Sequence, residues 1–252
     1  MNILITGANG LVGSAVAKTF IGKNHHVKAL CRSSADLSLL EGVKNDIEII
    51  EGDITDVLGL SNAMHDIDVV IHTAAMVSFN PKERTKMYHV NVQGTTNVVN
   101  SCLETGVKKL LFVSSIAALG RPTTPNLSKQ ITNIDESQQW EESSLNSHYA
   151  KSKYLAECEV WRGEAEGLKV AVVNPSVILG EGDWSRSSTQ LFKYVYDENR
   201  FYTLGSLNYV DIQDLTGIIC HIIDQNAFGE RFIVNAGTIT YKEFFEKVAV
   251  AF

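Results

Sequence analysis

Ile5-Thr6-Gly7-Ala8-Asn9-Gly10-Leu11-Val12-Gly13-Ser14-Ala15 places three glycines at a spacing of three, directly after the apolar run Ile3-Leu4-Ile5. Glycine takes positive φ and admits a ligand or a second backbone at close range. A strand that turns sharply into a helix leaves the first helical N–H groups unpaired, at the end that carries a partial positive charge. A phosphate fits there. On this reading Gly7 makes the turn, Gly10 lets a pyrophosphate approach the backbone, and Gly13 lets the helix pack closely on the strand. A ligand-free glycine turn has the same composition. The apolar run before it and the amphipathic segment 11–20 after it favour dinucleotide binding.

Outward from this turn, short β-branched runs alternate with helical patterns. Strands are expected at 3–6, 26–31, 47–51, 69–73, 110–114 and 170–173, and helices at 11–21, 90–103 and 149–164. Such alternation predicts an α/β fold of the Rossmann type, a doubly wound parallel sheet covered by helices on both faces. Ligands of such sheets bind beyond the carboxyl ends of the strands. Residues 1–179 are expected to form the nucleotide-binding domain. Residues 180–252 are less regular, with a helix at 191–196, extended pieces at 201–204 and 209–212, and a helix running to 224 capped by Asp211 or Asp214. A strand at 231–234 and a helix at 241–252 follow. This part predicts a smaller substrate lobe, interleaved with the sheet, over its open end. The polar connection 118–147, with Pro122 and Pro125, is long enough to suggest a functional loop.

With 252 residues, 44% apolar and 20% charged, the chain has the composition of a soluble globular protein. A net charge of −7 argues against nucleic acid or an anionic membrane as partner. The cysteines Cys31, Cys102, Cys158 and Cys220 have neither metal-ligand nor redox spacing, so no metal site and a reducing compartment are expected. The start, MNILITG, is not a signal peptide, and no apolar run is long enough to span a bilayer. A cytoplasmic protein is expected.

Two further segments carry chemistry. Tyr149 and Lys153 lie four apart in a helical pattern and share a face. An ammonium near a phenol lowers its pKa, as a proton donor to a carbonyl requires near neutral pH; a surface Tyr–Lys pair is the plain alternative. Ser114 and Ser115 end an apolar strand where a substrate would sit, Ser115 being placed to donate to a carbonyl. Serines also end strands without any such task.

Together these stretches resemble the extended branch of the short-chain dehydrogenase/reductase superfamily, the NAD(P)-dependent epimerase/dehydratase family. The matching segments are Gly7–Gly13, Gly52-Asp53-Ile54, His72-Thr73-Ala74-Ala75, Asn91-Val92-Gln93-Gly94-Thr95, Ser114-Ser115, Tyr149-Ala-Lys-Ser-Lys153 and Asn174-Pro175-Ser176-Val177-Ile178-Leu179-Gly180. They run in the family's order and span almost the whole chain. The resemblance implies a catalytic set: Tyr149 as general acid/base, Ser115 orienting the carbonyl, and Lys153 holding the nicotinamide ribose and depressing the Tyr149 pKa. It implies a cofactor site of Gly7, Asn9, Gly10, Leu11, Val12, Gly13, Arg32, Asp53, Ile54, Thr73, Ala74, Ala75, Asn91, Ser114, Tyr149, Lys153, Asn174, Pro175, Ser176 and Val177. Asn174 stands where nucleotide-sugar epimerases carry Arg, a pattern more like dihydroflavonol reductases and hydroxysteroid dehydrogenases. The acidic pair of the dehydratases is missing after Ser114. Extended members usually run longer, so the chain is either a compact member or lacks part of the substrate lobe.

The cofactor and the substrate remain to be chosen. NAD-specific sites end the second strand with a carboxylate on the ribose 2′-OH. Here the strand ends Cys31-Arg32-Ser33-Ser34, and Arg32 can pair with a 2′-phosphate, so NADP(H) is expected over NAD(H). The leading function is a reductase or dehydrogenase of a ketone/alcohol pair. The alternatives are a nucleotide-sugar epimerase or dehydratase with tightly bound NAD(P), and a non-catalytic nucleotide sensor. In the lobe, Arg186 is the one cation considered near a substrate, beside Trp184, Phe192, Tyr196, Phe201, Tyr202 and Tyr209. Those rings form the lobe's core or line the cleft, where they would suit a flat or apolar carbonyl compound better than a sugar diphosphate. The resemblance also implies a homodimer, built on the helices 91–103 and 149–164. The second would offer Tyr154, Cys158 and Trp161, which could equally pack inside one chain.

Overall fold

A computed structural model describes residues 1–121, 134–184 and 187–252; Arg186 and residues 122–133 of the connection 118–147, with Pro122 and Pro125, lie outside them. The first strand, β1 (Asn2–Thr6), has Ile3, Leu4 and Ile5 fully buried. It lies between β2 (His26–Cys31) and β4 (Val69–His72), both parallel to it. With β3 (Ile47–Glu51), β5 (Lys109–Val113), β6 (Lys169–Pro175) and β9 (Glu230–Val234) the order is β3-β2-β1-β4-β5-β6-β9, all parallel. The expected Rossmann-type sheet is therefore present. Strands apolar on both sides need cover on both faces, and two buried clusters supply it. On one face α1 (Leu11–Gly22) packs Val16, Ala17 and Phe20 beside Leu215 and Ile219 of α7 (Ile212–Asp224). On the other, α2 (Val57–Ala63), α4 (Gly94–Thr105) and α5 (His148–Ala165) contribute Leu60, Val98, Cys102, Ala156 and Val160. The sheet builds outward in opposite directions from β1 and β4, so the carboxyl ends of these two strands flank the crevice where ligands of such sheets bind.

Four expectations need correction. The helix expected at 90–103 opens as a π turn at His89–Gln93, continuous with α3 (Arg84–Tyr88) before it and α4 after it. Residues 201–204 form no strand; the extended piece is β8 (Ser206–Asp211). The residues 212–234 are not lobe: α7, capped by Asp211 Oδ1 accepting from Gln213 N at 2.7 Å, packs on α1, and β9 extends the main sheet. What gathers at its edge is a three-stranded sheet of β7 (Val177–Leu179), β8 and β10 (Gly237–Thr240) with α6 (Gln190–Tyr196) and α8 (Tyr241–Ala251). Finally, Phe192 and Tyr209 fill the small core beneath those helices, while Trp184, Tyr196 and Phe252 contact one another at its surface.

Candidate active site

The glycine turn has the geometry its spacing predicts. Gly7 has φ +69°, and a side chain there would meet the Ala74 backbone at 2.7 Å. A Cβ on Gly13 would lie 2.4 Å from the Gly7 carbonyl oxygen and 2.7 Å from Ala8 Cα, so α1 can sit this close to β1 only with glycine there. Gly10 precedes the first helical turn, which has no side-chain cap and no acidic residue. Its N–H groups are left for an anion. Asn9, Leu11 and Val12 are half-buried around it, and Arg32 is exposed at the end of β2. Asp53 closes a turn by accepting from Thr55 N at 2.9 Å, and Ile54 is buried against Gly94.

Beside the turn, Thr73 donates to the Thr6 carbonyl at 2.7 Å, which fixes the start of the segment Thr73-Ala74-Ala75. Beneath it His72 is fully buried, its Nδ1 2.6 Å from Thr6 Oγ1 and its Nε2 3.0 Å from Thr95 Oγ1. Thr95 spends its own proton on the Asn91 carbonyl at 2.6 Å. His72 Nε2 must then donate, and Nδ1 accepts from Thr6: a neutral ring. Burial, and after it the Lys153 ammonium, lower its pKa to about 3. Asn91, in the π turn, holds Met76 from both sides, accepting from its N–H at 2.7 Å and donating to its carbonyl at 2.9 Å; it also donates to Ser152 Oγ at 2.9 Å. The turn thus ties the segment after β4 to α5. Such π turns concentrate at functional sites.

The expected catalytic residues meet at the end of β5. Ser147 caps α5 by accepting from Ala150 N at 3.1 Å, which sets Tyr149 in its first turn. The Ser115 hydroxyl lies beside that of Tyr149, where it favours the phenolate. Lys153 is 2% exposed, donates to the Val113 carbonyl at 3.0 Å and lies 4.2 Å over the Phe112 ring. Burial lowers its pKa to about 7, against the opposing effect of Glu157. The expectation that Lys153 depresses the Tyr149 pKa is corrected here. Burial raises the phenol, and the Ser115 hydroxyl is what opposes the rise. Ser114 is buried, and its hydroxyl has no hydrogen-bond partner among the described residues. Asn174 is fully buried and turned inward, donating to the Ser115 carbonyl at 2.9 Å and to Glu157 Oε1 at 2.5 Å. Pro175 and Ser176 are buried beside it, and Val177 is half-buried.

Two neighbours escaped the sequence. Phe79, 76% exposed, sets its ring 6.2 Å from that of Tyr149; its only signal was an apolar residue seven positions after the strand-end His72. Glu157 is 1% exposed and pairs with Arg231 at 2.7 Å. Its spacing of four from Lys153 could have been noticed.

The model of the 3-beta hydroxysteroid dehydrogenase/isomerase family matches residues 4–212. The chain belongs to this family. Its curated relatives include proteins named as reductases and a hydroxysteroid dehydrogenase. The chain is 26% identical over 238 residues to sterol demethylase protein B of Methylococcus capsulatus, covering 93% of itself and 69% of that protein. It is 29% identical over 234 residues to cinnamoyl-CoA reductase 1 of Petunia hybrida, covering 88% of itself and 68% of that protein. Its fold superposes on dTDP-glucose 4,6-dehydratase from Streptomyces venezuelae, solved with NAD, with a TM-score of 0.87 at 19% identity, over 100% of this chain and 81% of that one. The family member described here thus spans about two thirds of the curated relatives' length.

Proposed function

We propose that the chain is an NADP(H)-dependent reductase or dehydrogenase of an apolar, ring-bearing ketone or aldehyde and its alcohol. The observation that carries the reading is the Ser115–Tyr149 pair, set at the end of β5 under an exposed phenylalanine. The cradle fits a dinucleotide: an uncapped helix start free of acidic residues, a turn that only glycine can form, and the Ser114 hydroxyl, buried without a partner among the described residues, next in the chain to the Val113 carbonyl that Lys153 holds. The turn 7–13 would hold the pyrophosphate, Asp53 and Ile54 the adenine side, Arg32 the 2′-phosphate, and Lys153 the nicotinamide ribose. Bound NADPH would supply the hydride. Tyr149 keeps its proton at neutral pH because burial raises it, and so is set to donate to a carbonyl oxygen; Ser115 orients that oxygen and steadies the phenolate left behind.

Substrate class is read from the loop after β4. Asn91 pins Met76, Ser78 donates to Glu83 Oε2 at 2.5 Å, and Asn80 accepts from Lys82 N at 3.1 Å. The loop so fixed leaves Val77 45% and Phe79 76% exposed. Burying a phenylalanine is worth about 1.5–3 kcal/mol, so holding one out beside Tyr149 favours a partner with an apolar ring. The names of the reductases among the relatives agree. Four free cysteines suit the cytoplasm, and a homodimer through α4 and α5 completes the reading.

The test follows NADPH oxidation against aromatic and alicyclic aldehydes and ketones, with nucleotide sugars alongside. Reduction of ring-bearing carbonyl compounds supports the reading. A nucleotide sugar that raises the melting temperature at micromolar concentration, with no carbonyl compound reduced, replaces it by epimerase or dehydratase chemistry.

A further inference from the structure

Tyr149, Lys153 and Glu157 follow one another at intervals of four along α5, so their side chains share one face with neighbouring Cβ atoms about 5–6 Å apart. The first two have roles in the reading above; Glu157 has none. At 1% exposure its carboxylate needs partners. Asn174 Nδ2 donates to Oε1 at 2.5 Å and Arg231 Nη2 to Oε2 at 2.7 Å. Each partner reaches further. Asn174 Nδ2 also donates to the carbonyl of Ser115 at 2.9 Å, and Arg231 Nη1 to that of Gln138 at 3.3 Å. Glu157 therefore stands where α5, β6, β9 and the backbone of Ser115 converge.

Lys153 lies one turn before it, at 2% exposure. The lysine's contacts are a carbonyl and an aromatic face, neither of which carries a full charge. The titratable groups that face it are His72 from β4, and Tyr149 and Glu157 from α5, with Arg231 of β9 beyond Glu157. His72 is kept neutral by burial, which lowers its pKa to about 3, and Tyr149 carries its proton. Among the described residues Glu157 is the anion within reach.

We propose that Glu157 is a positioning residue that keeps the buried Lys153 a cation, and that Arg231 on β9 competes with Lys153 for that carboxylate. The buried lysine's lowered pKa, opposed by Glu157, agrees with this. A cation can serve the ribose hydroxyls in a way that a neutral amine cannot. The consequence for cofactor binding rests on the function proposed above; the charge itself does not.

The test is an NMR pH titration of Lys153 in the cofactor-free protein, with the signal assigned by comparison with Lys153→Met. An opposite charge at this range is worth about one pH unit or more. Glu157→Gln is expected to move the Lys153 midpoint down by that amount, Glu157→Asp to restore most of it, and Arg231→Gln to move it up. A purely structural ion pair predicts no shift, or shifts of one sign for both partners, and either result overturns the proposal. Should Glu157→Gln fail to fold, Glu157→Gln/Arg231→Gln removes both charges together. Its midpoint is expected below that of the unmodified protein, and an unchanged one overturns the proposal. Parallel NADPH titrations separate the two readings. Midpoints that move as expected while NADPH affinity stays constant uphold the role of Glu157 and remove Lys153 from the cofactor site.

Discussion

Arg32 stands exposed at the end of β2, where an NAD-specific site would place a carboxylate. A guanidinium offers a planar fork of donors that matches phosphate. Arg32→Ala is expected to weaken NADPH binding by about 1.5–3 kcal/mol, the scale of a hydrogen bond to a charged group, and to leave NADH binding almost unchanged. Equal losses in paired isothermal titrations would remove it from the 2′-phosphate. His72 gives a prediction with a definite sign. Its folded pKa of about 3 lies below the ordinary 6.5, so the unfolded chain takes up the proton first. Stability is therefore lost as pH falls from about 6.5 towards 3, by up to about 1.4 kcal/mol per pH unit for one group. His72→Asn, whose amide can both accept from Thr6 and donate to Thr95, should flatten that limb in urea unfolding measured at pH 4.5 and 7. At this scale the sequence revealed the Ser115–Tyr149 pair, because strand end and helix start are both local signals. It hid Glu157, which reads as one more charged residue on a helix until β6 and β9 are packed against it. It hid Phe79 because exposure is a tertiary property.

The glycine turn and α1 form one element of the site. Gly13→Ala would drive a Cβ into backbone atoms of Gly7 and Ala8, which no side-chain rotation relieves. A cost of about 1–3 kcal/mol is expected, the range for overpacking, together with a cradle displaced enough to lose the dinucleotide. Gly22→Ala, at the other end of the same helix, meets nothing within 4 Å and should be neutral or slightly stabilising. Thermal melts of the two variants check the contrast. Elements with strong local patterns were legible: β1, β2 and β3 begin and end within one residue of expectation, and so does α1. The π turn at His89–Gln93 was not, because the side chain of Asn91 that anchors it takes its partners from the loop after β4 and from α5. β7 and β10 are three and four residues long and exist through β8, so no run of their own announces them.

On the scale of the molecule, the C-terminal third is divided between two tasks. Its residues 212–234 complete the main sheet, which is why Arg231 can reach α5, and the remainder builds the small sheet beside it. Irregular spacing at 180–252 suggested a separate lobe; the apolar faces of α7 and β9 fit the large core as readily as a small one, and chain pattern alone could not choose. On the outer face of α5 two of the three side chains pack within the chain, one of the two courses open to them. Trp161 packs on the main core and Tyr154 stacks on Trp140 with ring centres 4.6 Å apart, leaving Cys158 the exposed one of the three. Light scattering at micromolar concentration is expected to give the mass of two chains, and the mass of one would contradict the proposed dimer. The central claim is that the sheet ends gather a carbonyl-reducing site around Tyr149. It is tested most directly by Tyr149→Phe, assayed by NADPH oxidation on the best ring-bearing carbonyl substrate, with NADPH affinity measured in parallel. The account predicts kcat lower by about 10²–10⁴-fold, the share of one acid/base group, with the Kd for NADPH little changed; turnover near that of the unmodified protein would contradict it.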